Sequence, residues 1–473
     1  MAQRCLCVLA LAAMLLLVFA TVSRSMGLRS DEHQRASRIP AEFSKEELVA
    51  MKEALKGAIQ IPTVTFSYEK ANTTALVEFG KYIYKVFPTV LSTSFIQHEV
   101  VEEYSHLFTI KGSDPSLQPY LLMAHFDVVP APEEGWEVPP FSGLEREGAI
   151  YGRGTLDDKN SVMSSGTGAQ KVSALLQSRG VQLAFVVDEG GFILDDFIPD
   201  FKKPIALIGV SEKGSMNLLL QVNMSSGHSS APPKETSIGI LAAAVSRLEQ
   251  TPMPIIFGSG TLVTVLRQMA DEFPFPVDKI LSNPRLFEPL ITRFMEKNPL
   301  TNAMIRTTTA LTIFEAGIKV NVIPSVAKAA VNFRIHSGQT VQEVLELTKN
   351  IVADNRVQFH VMTAFDPLPI SPYDDKALGY QLLRQTIQSV FPEVNITIPG
   401  TCLGNTDSRF FTDLTTGIYR FNPYYLQPED LKRFHGINEK ISVQGYENQV
   451  KFIFELIQNA DTDQEPVSRL HKL

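Results

Sequence analysis

Residues 120–132, YLLMAHFDVVPAP, decide how the rest of this 473-residue chain is read. The run is apolar on both faces, as in a strand of a parallel sheet covered by helices on each side. His125 and Asp127 interrupt it near its carboxyl end. Residues i and i+2 of a strand project to the same side, and in open α/β sheets ligands bind beyond the carboxyl ends of the strands. The pair therefore has the position of a site. Taken by itself it reads first as a satisfied histidine beside a turn-forming aspartate ahead of Pro130.

Working outward, the texture around this strand is α/β. Upstream, SKEELVAMKEALKGAI places Leu48, Met51, Leu55 and Ile59 on one helical face, with Ser44 as cap and Glu47 three residues on. Downstream, the helical KVSALLQSRG feeds the strand VQLAFVVDEG, which again ends in carboxylates and forms half of a βαβ unit. Near Ser211 the pattern changes to alternating strands and helices, which predicts a separate α+β layer. After Pro367 the α/β pattern returns. The simplest organisation is an α/β domain with a mostly parallel sheet in two segments, 26–209 and 363–462, interrupted by an inserted α+β domain at 210–362 and followed by a short tail, 463–473.

Composition narrows the function classes. With 44% hydrophobic and 20% charged residues the chain is globular, and a net charge of −8 with no basic stripe excludes a nucleic-acid surface. Arg4 precedes an apolar run at 5–22 with small residues after it, so 1–25 reads as a secretory signal peptide, the alternative being an uncleaved anchor. The expected location is secreted and extracellular. The triplets at Asn72, Asn223 and Asn395 are acceptors for glycosylation in that compartment. Cys5 and Cys7 leave with the signal, so Cys402 stands alone and no internal disulfide forms.

Other candidate ligands lie where His125 and Asp127 do. Asp157 sits in the glycine-punctuated loop GRGTLDDKNS, Asp188 ends a strand, and His435 precedes the last helix. Carboxylates and imidazoles are zinc ligands, and two zinc ions can share a bridging carboxylate. A lone aspartate at a strand end is more often a turn or cap, so spacing alone leaves the metal reading open.

The motifs MAHFDVVP, GRGTLDDK, VDEG, GHSSAPP, KVNVIP, FRIH, NTDSR and HGINEKIS occur together in this order, and over about 45–460 the chain resembles the M20 family of zinc metallopeptidases. The resemblance implies a catalytic domain with an inserted lid that carries a homodimer interface. It implies that His125, Asp157 and Asp188 hold one zinc, that Asp157 bridges to a second zinc held with His435, and that Asp127 orients His125 from behind. His228 of GHSSAPP is expected to polarise the scissile carbonyl, and Asn321, Arg334 and Arg409 to hold the substrate carboxylate or the developing oxyanion. For Arg409, pairing with Asp407 is the alternative.

The resemblance further implies hydrolysis and condensation of N-fatty-acyl amino acids, with fatty acid and amino acid as the other small-molecule partners, and association with lipid particles. Apolar residues at 251–300, among them Ile255, Ile256, Phe257, Leu262, Leu266, Met269, Phe273 and Phe275, fit core packing first and an acyl groove second. One departure stands out. The family places two adjacent glutamates, a general base and a ligand of the second zinc, between the bridging aspartate and VDEG. No Glu lies between Asp157 and Asp188 here. A strand–helix–strand unit needs about 30 residues, so one central crossover is missing, leaving one complete zinc site and an enzyme of impaired activity. A non-catalytic binder of acylated amino acids and a plain dipeptidase remain the alternative functions.

Overall fold

The computed structural model describes residues 41–463 apart from 68–69, 162–165 and 199–200. The signal-like segment, the tail beyond residue 463 and the junction at Met163–Ser164 lie outside the described residues. The helix Lys45–Gln60 opens with the expected capping box: Glu47 N donates to Ser44 Oγ at 3.2 Å, and Ser44 N donates to Glu47 Oε2 at 2.8 Å. Leu55, Ala58 and Ile59 are its buried residues.

Strands Tyr425–Leu426, Ile193–Leu194, Ile205–Glu212, Ile418–Arg420, Val186–Asp188 and Leu121–Leu122 lie side by side in that order, and Ile396–Cys402 also pairs with Ile205–Glu212. Four of these pairings are parallel and two antiparallel. Helices Leu378–Val390 and Val443–Asp463 cover one face through Leu383, Ile387, Phe452 and Leu456. Helix Gly166–Ser178 covers another part through Ala169, Val172 and Leu176, packed on Val186 and Ile418. The sheet is thus the mostly parallel, helix-covered one its apolar strands predicted.

The strands are shorter than their apolar runs. Residues 120–129 do not form one continuous buried strand: Leu121–Leu122 alone is in the ladder, at the sheet edge, half-buried because it has a neighbour on one side only. Beyond it the chain leaves the sheet, and Val128 bridges to Val64. Hydrophobic pattern reports burial, and Ala124, Phe126 and Val128 are buried in the loop, Phe126 against the helix residues Leu76 and Phe79, rather than in a ladder.

The central segment builds a second sheet and a second core. Strands Thr308–Ala316, Val326–Ile335, Gly214–Asn223 and Val357–Phe365 are antiparallel in that order. Their alternating inward residues, Met216, Leu218, Leu220, Val331 and Phe333, pack against Ile240, Leu241 and Val344 of helices Ser237–Gln250 and Val341–Val352. The chain passes from the first sheet to the second through Lys213 alone, between Glu212 and Gly214. Gly214 is required there, since a Cβ would lie 2.7 Å from Pro367 N and 2.8 Å from Phe365 O. Residues 262–305 form short helices; Met269, Ile291 and Met295 are buried, whereas Phe275, Leu286, Leu290 and Phe294 are exposed. Among the described residues no helix is long and apolar enough to cross a membrane.

Candidate metal centre

His125 and Asp127 sit just past the carboxyl end of the edge strand, in a loop pinned from both sides. Val128 N donates to Thr63 O and Thr65 N to Val128 O, each at 2.9 Å, and Thr63 Oγ1 donates to Phe126 O. Between the two polar residues, Phe126 is buried and stacks on Phe79 at 4.7 Å. His125 Nδ1 is 3.0 Å from the Asp127 carbonyl oxygen and 3.4 Å from its Oδ1. That contact on one ring nitrogen leaves Nε2 facing the other way, as an orienting aspartate requires.

Nε2 meets two carboxylates: Asp157 Oδ1 at 2.9 Å and Glu189 Oε1 at 3.3 Å. The second Asp157 oxygen, Oδ2, lies 3.0 Å from His435 Nε2. One carboxylate therefore joins two imidazoles. Asp157 is held in place by its own glycine-rich loop, whose backbone amides converge on Glu439: Gly154 N at 3.0 Å, Leu156 N at 2.7 Å and Asp157 N at 3.2 Å all donate to Oε1. Gly154 has φ +95°, and a Cβ there would come within 3.0 Å of Val128 and Lys159. His435 also has a left-handed backbone, φ +57°.

The electrostatics follow from burial and proximity. Burial acts to lower the His125 ring, but Glu189, Asp127 and Asp157 outweigh it and hold the ring well above its ordinary pKa. Burial acts to raise Asp157, but hydrogen bonds with His125 and His435 hold that carboxyl well below the usual range. Asp158 and Glu189 are raised, chiefly by burial. Asp407 is pushed to about 7 by burial and by Asp188. A site with this much uncompensated negative charge suits a cation. The ligand atoms of His125, Asp158 and Glu189 all lie within 4.8 Å of one another, and this is the group of the described residues able to hold a metal ion.

The other predicted residues fall in three places. Asp188 is 4% exposed at the end of its strand, with Oδ1 accepting from Glu189 N at 2.9 Å and Oδ2 from Ser408 N at 2.8 Å. Arg334, from the second sheet, donates to Asn405 Oδ1, and Asn405 Nδ2 donates to Lys213 O at 2.6 Å, so NTDSR and FRIH are in contact. Arg409 lies over the rings of Phe365 and Phe410, at 5.0 and 4.6 Å. His228 and Asn321 come together at the edge of the central segment: Gly227–His228 pairs with Val322–Ile323, and Ser229 N donates to Asn321 O at 3.3 Å. His228 is exposed and bonds locally, 2.7 Å from Ser230 Oγ. The sequence by itself assigns no metal role to Asp158 or Asp407 and offers Glu189 only as a substitute carboxylate, although all three lie within the motifs GRGTLDDK, NTDSR and VDEG.

The pattern of peptidase family M20/M25/M40 matches residues 121–459. The chain belongs to this family. M20 relatives include the N-fatty-acyl-amino acid synthase/hydrolase of Homo sapiens, 82% identical over 100% of both chains, and that of Mus musculus, 65% identical over 98% of both. The human alignment spans 502 positions, 29 more than the 473 residues here, so at least that many have no counterpart in this chain. Among solved structures, a di-peptidase of Saccharomyces cerevisiae has TM-score 0.61 at 16% identity, covering 89% of this chain and 100% of its own. An M20 metallo-carboxypeptidase of Sulfolobus solfataricus has TM-score 0.59 at 17% identity, covering 88% and 100%. At such identities the likeness shows the M20 fold. The M20 family is metal-dependent, and the donors gathered at His125 fit a metal ion.

Proposed function

We propose that this chain is a secreted zinc amidase that hydrolyses N-fatty-acyl amino acids and, in reverse, condenses fatty acid with amino acid. The observation that carries the reading is Asp157 joined to both His125 and His435, at 2.9 and 3.0 Å, in a chain 82% identical to a relative named for that activity. Histidine nitrogens about a shared carboxylate are the donor set of a zinc pair. Zinc, when bound, supplies Lewis acidity toward the amide carbonyl.

The chain's own residues do the positioning. Asp127 sets the ring of His125. Arg334 and Arg409 offer guanidinium forks to the substrate carboxylate. His228, with Asn321 beside it, polarises the carbonyl from the inserted lid, 210–362, and its exposure suits presentation across a homodimer interface. Hydrolysis adds water across the C–N bond to give fatty acid and amine; condensation releases that water. The exposed apolar residues Phe275, Leu286, Leu290 and Phe294 suit an acyl chain or a lipid particle. Asn72, Asn223 and Asn395 are exposed, as glycosylation demands.

The missing positions bear on rate. Without a Glu between Asp157 and Asp188 the chain lacks the family's general base, which contributes about 10²–10⁴-fold. Activity is reduced by about that factor. The same absence favours a second reading, a binder of acylated amino acids without turnover. Incubating purified protein with an N-fatty-acyl amino acid and with an unacylated dipeptide separates the readings. Slow release of free amino acid from the acylated substrate supports the amidase; tight binding without release supports the binder; faster dipeptide cleavage overturns both.

A further inference from the structure

Lys213, the residue that joins the two sheets, is bonded through both groups of its main chain and through the end of its side chain. Its amide donates to Cys402 O at 3.1 Å, and its carbonyl accepts from Asn405 Nδ2 at 2.6 Å. The side chain, 1% exposed, sends Nζ to Ala303 O at 2.9 Å and Arg306 O at 2.8 Å. These carbonyls lie at the carboxyl end of helix Pro299–Ile305, where His336 Nε2 also meets Met304 O at 3.2 Å. Carbonyls left over at a helix end need donors. An ammonium taken out of water is costly unless it is bonded, and here its bonds fix the junction residue against that helix.

Asn405 carries this placement to the NTDSR loop and on to Arg334. An arginine can only donate and a backbone carbonyl can only accept. The Asn405 amide therefore fits between Arg334 Nη1 and Lys213 O in one orientation, Oδ1 toward the arginine and Nδ2 toward the lysine carbonyl. The next residue is held from the same stretch of chain: Thr406 N donates to Glu212 Oε1 at 3.0 Å, and Arg420 Nε donates to that oxygen at 2.6 Å.

We propose that Lys213 and Asn405 are positioning residues for Arg334, holding its guanidinium where it takes the carboxylate of the substrate. Lys213 acts through Asn405, and Asn405 engages Nη1 alone, which leaves Nη2 and Nε of the fork for the ligand. The inference rests on the reading of Arg334 given under Proposed function and adds what aims it.

Calorimetric titration of the full chain, in the presence of zinc, with N-decanoylglycine and with its carboxamide tests the relay, since the ratio of the two dissociation constants reads recognition of the carboxylate. Wild type is expected to prefer the acid by about 10-fold or more, the worth of a charge-assisted hydrogen bond. Lys213→Met and Asn405→Leu, shown to be folded by circular dichroism, are expected to lose most of that preference while still binding the carboxamide as wild type does. Adding either substitution to Arg334→Ala is expected to change the ratio no further, because both act through that arginine. A residue that only stabilises the fold would instead lower both affinities together. Either folded variant keeping the wild-type ratio overturns the relay and leaves the reading of Arg334 intact; if Lys213→Met does not fold, Asn405→Leu decides. A wild type that does not prefer the acid overturns the reading of Arg334 and this inference with it.

Discussion

Arg153 Nη1, from the same loop as Asp157, lies 2.5 Å from Glu439 Oε2 in a pair that is 3% and 0% exposed. Glu439 uses its other oxygen for the three amides of that loop. Breaking one side of a buried pair strands the partner charge at a cost of about 3–5 kcal/mol. Glu439→Ala is expected to lose about that much in urea unfolding, whereas Glu439→Gln, which keeps an acceptor for the amides, loses less.

The Asp127 carboxylate lies 3.4 Å from Nδ1 of His125, the nitrogen turned away from Asp157, so replacing it acts through ring orientation, while the 3.0 Å contact of the Asp127 main-chain carbonyl is kept. Asp127→Asn is expected to weaken zinc by about 10–100-fold with an unchanged circular dichroism spectrum. Chelator competition reads the effect directly.

Phe126 is 1% exposed and stacks on Phe79 between the two polar residues of the loop. Phe126→Ala is expected to cost about 3–5 kcal/mol through the cavity it leaves. Because the loop loses its anchor, zinc affinity is expected to fall as well, and Phe126→Leu to give a smaller change in both measurements.

His106 is 5% exposed, with Nδ1 3.0 Å from His98 Nε2. Burial, and then His98, lowers it to about 4; His98 is lowered too, by burial against the opposing pull of Glu99. The folded state resists protonation that the unfolded chain accepts near 6.5. Stability is therefore full above that pH and falls as the pH drops from about 6.5 toward 4, by about 1.4 kcal/mol per pH unit for the His106 contribution. Urea midpoints at pH 7.5 and 5 are expected to differ less in His106→Phe than in wild type.

Arg334 joins the second sheet to the NTDSR loop through Asn405. If it holds the substrate carboxylate as well, Arg334→Ala is expected to raise KM by about 10-fold or more, the worth of a charge-assisted hydrogen bond, with a smaller change in kcat. Lysine at this position is not expected to restore it, since a point charge lacks the planar fork. Initial-rate kinetics with an N-fatty-acyl amino acid decide.

The linear chain determined the class of fold and the family. Apolar runs ending in carboxylates, helices at 3.6 spacing, a capping box at Ser44 and Glu47, and eight ordered motifs are local or additive signals, legible without coordinates. It also disclosed the absence of any Glu between Asp157 and Asp188. Tertiary structure alone decided which ligands meet. His435 reaches Asp157, Arg334 reaches Asn405, and Glu439 gathers the Asp157 loop, all across long separations in sequence. Tertiary structure also decided that Glu189 faces His125 while Asp188 turns to Ser408, and that only two residues of the apolar run at 120–129 remain in the sheet. Neighbouring residues differ here by the direction of a side chain at a strand end. That direction is set by what packs around it and by which backbone amides need a partner, and no local pattern encodes either.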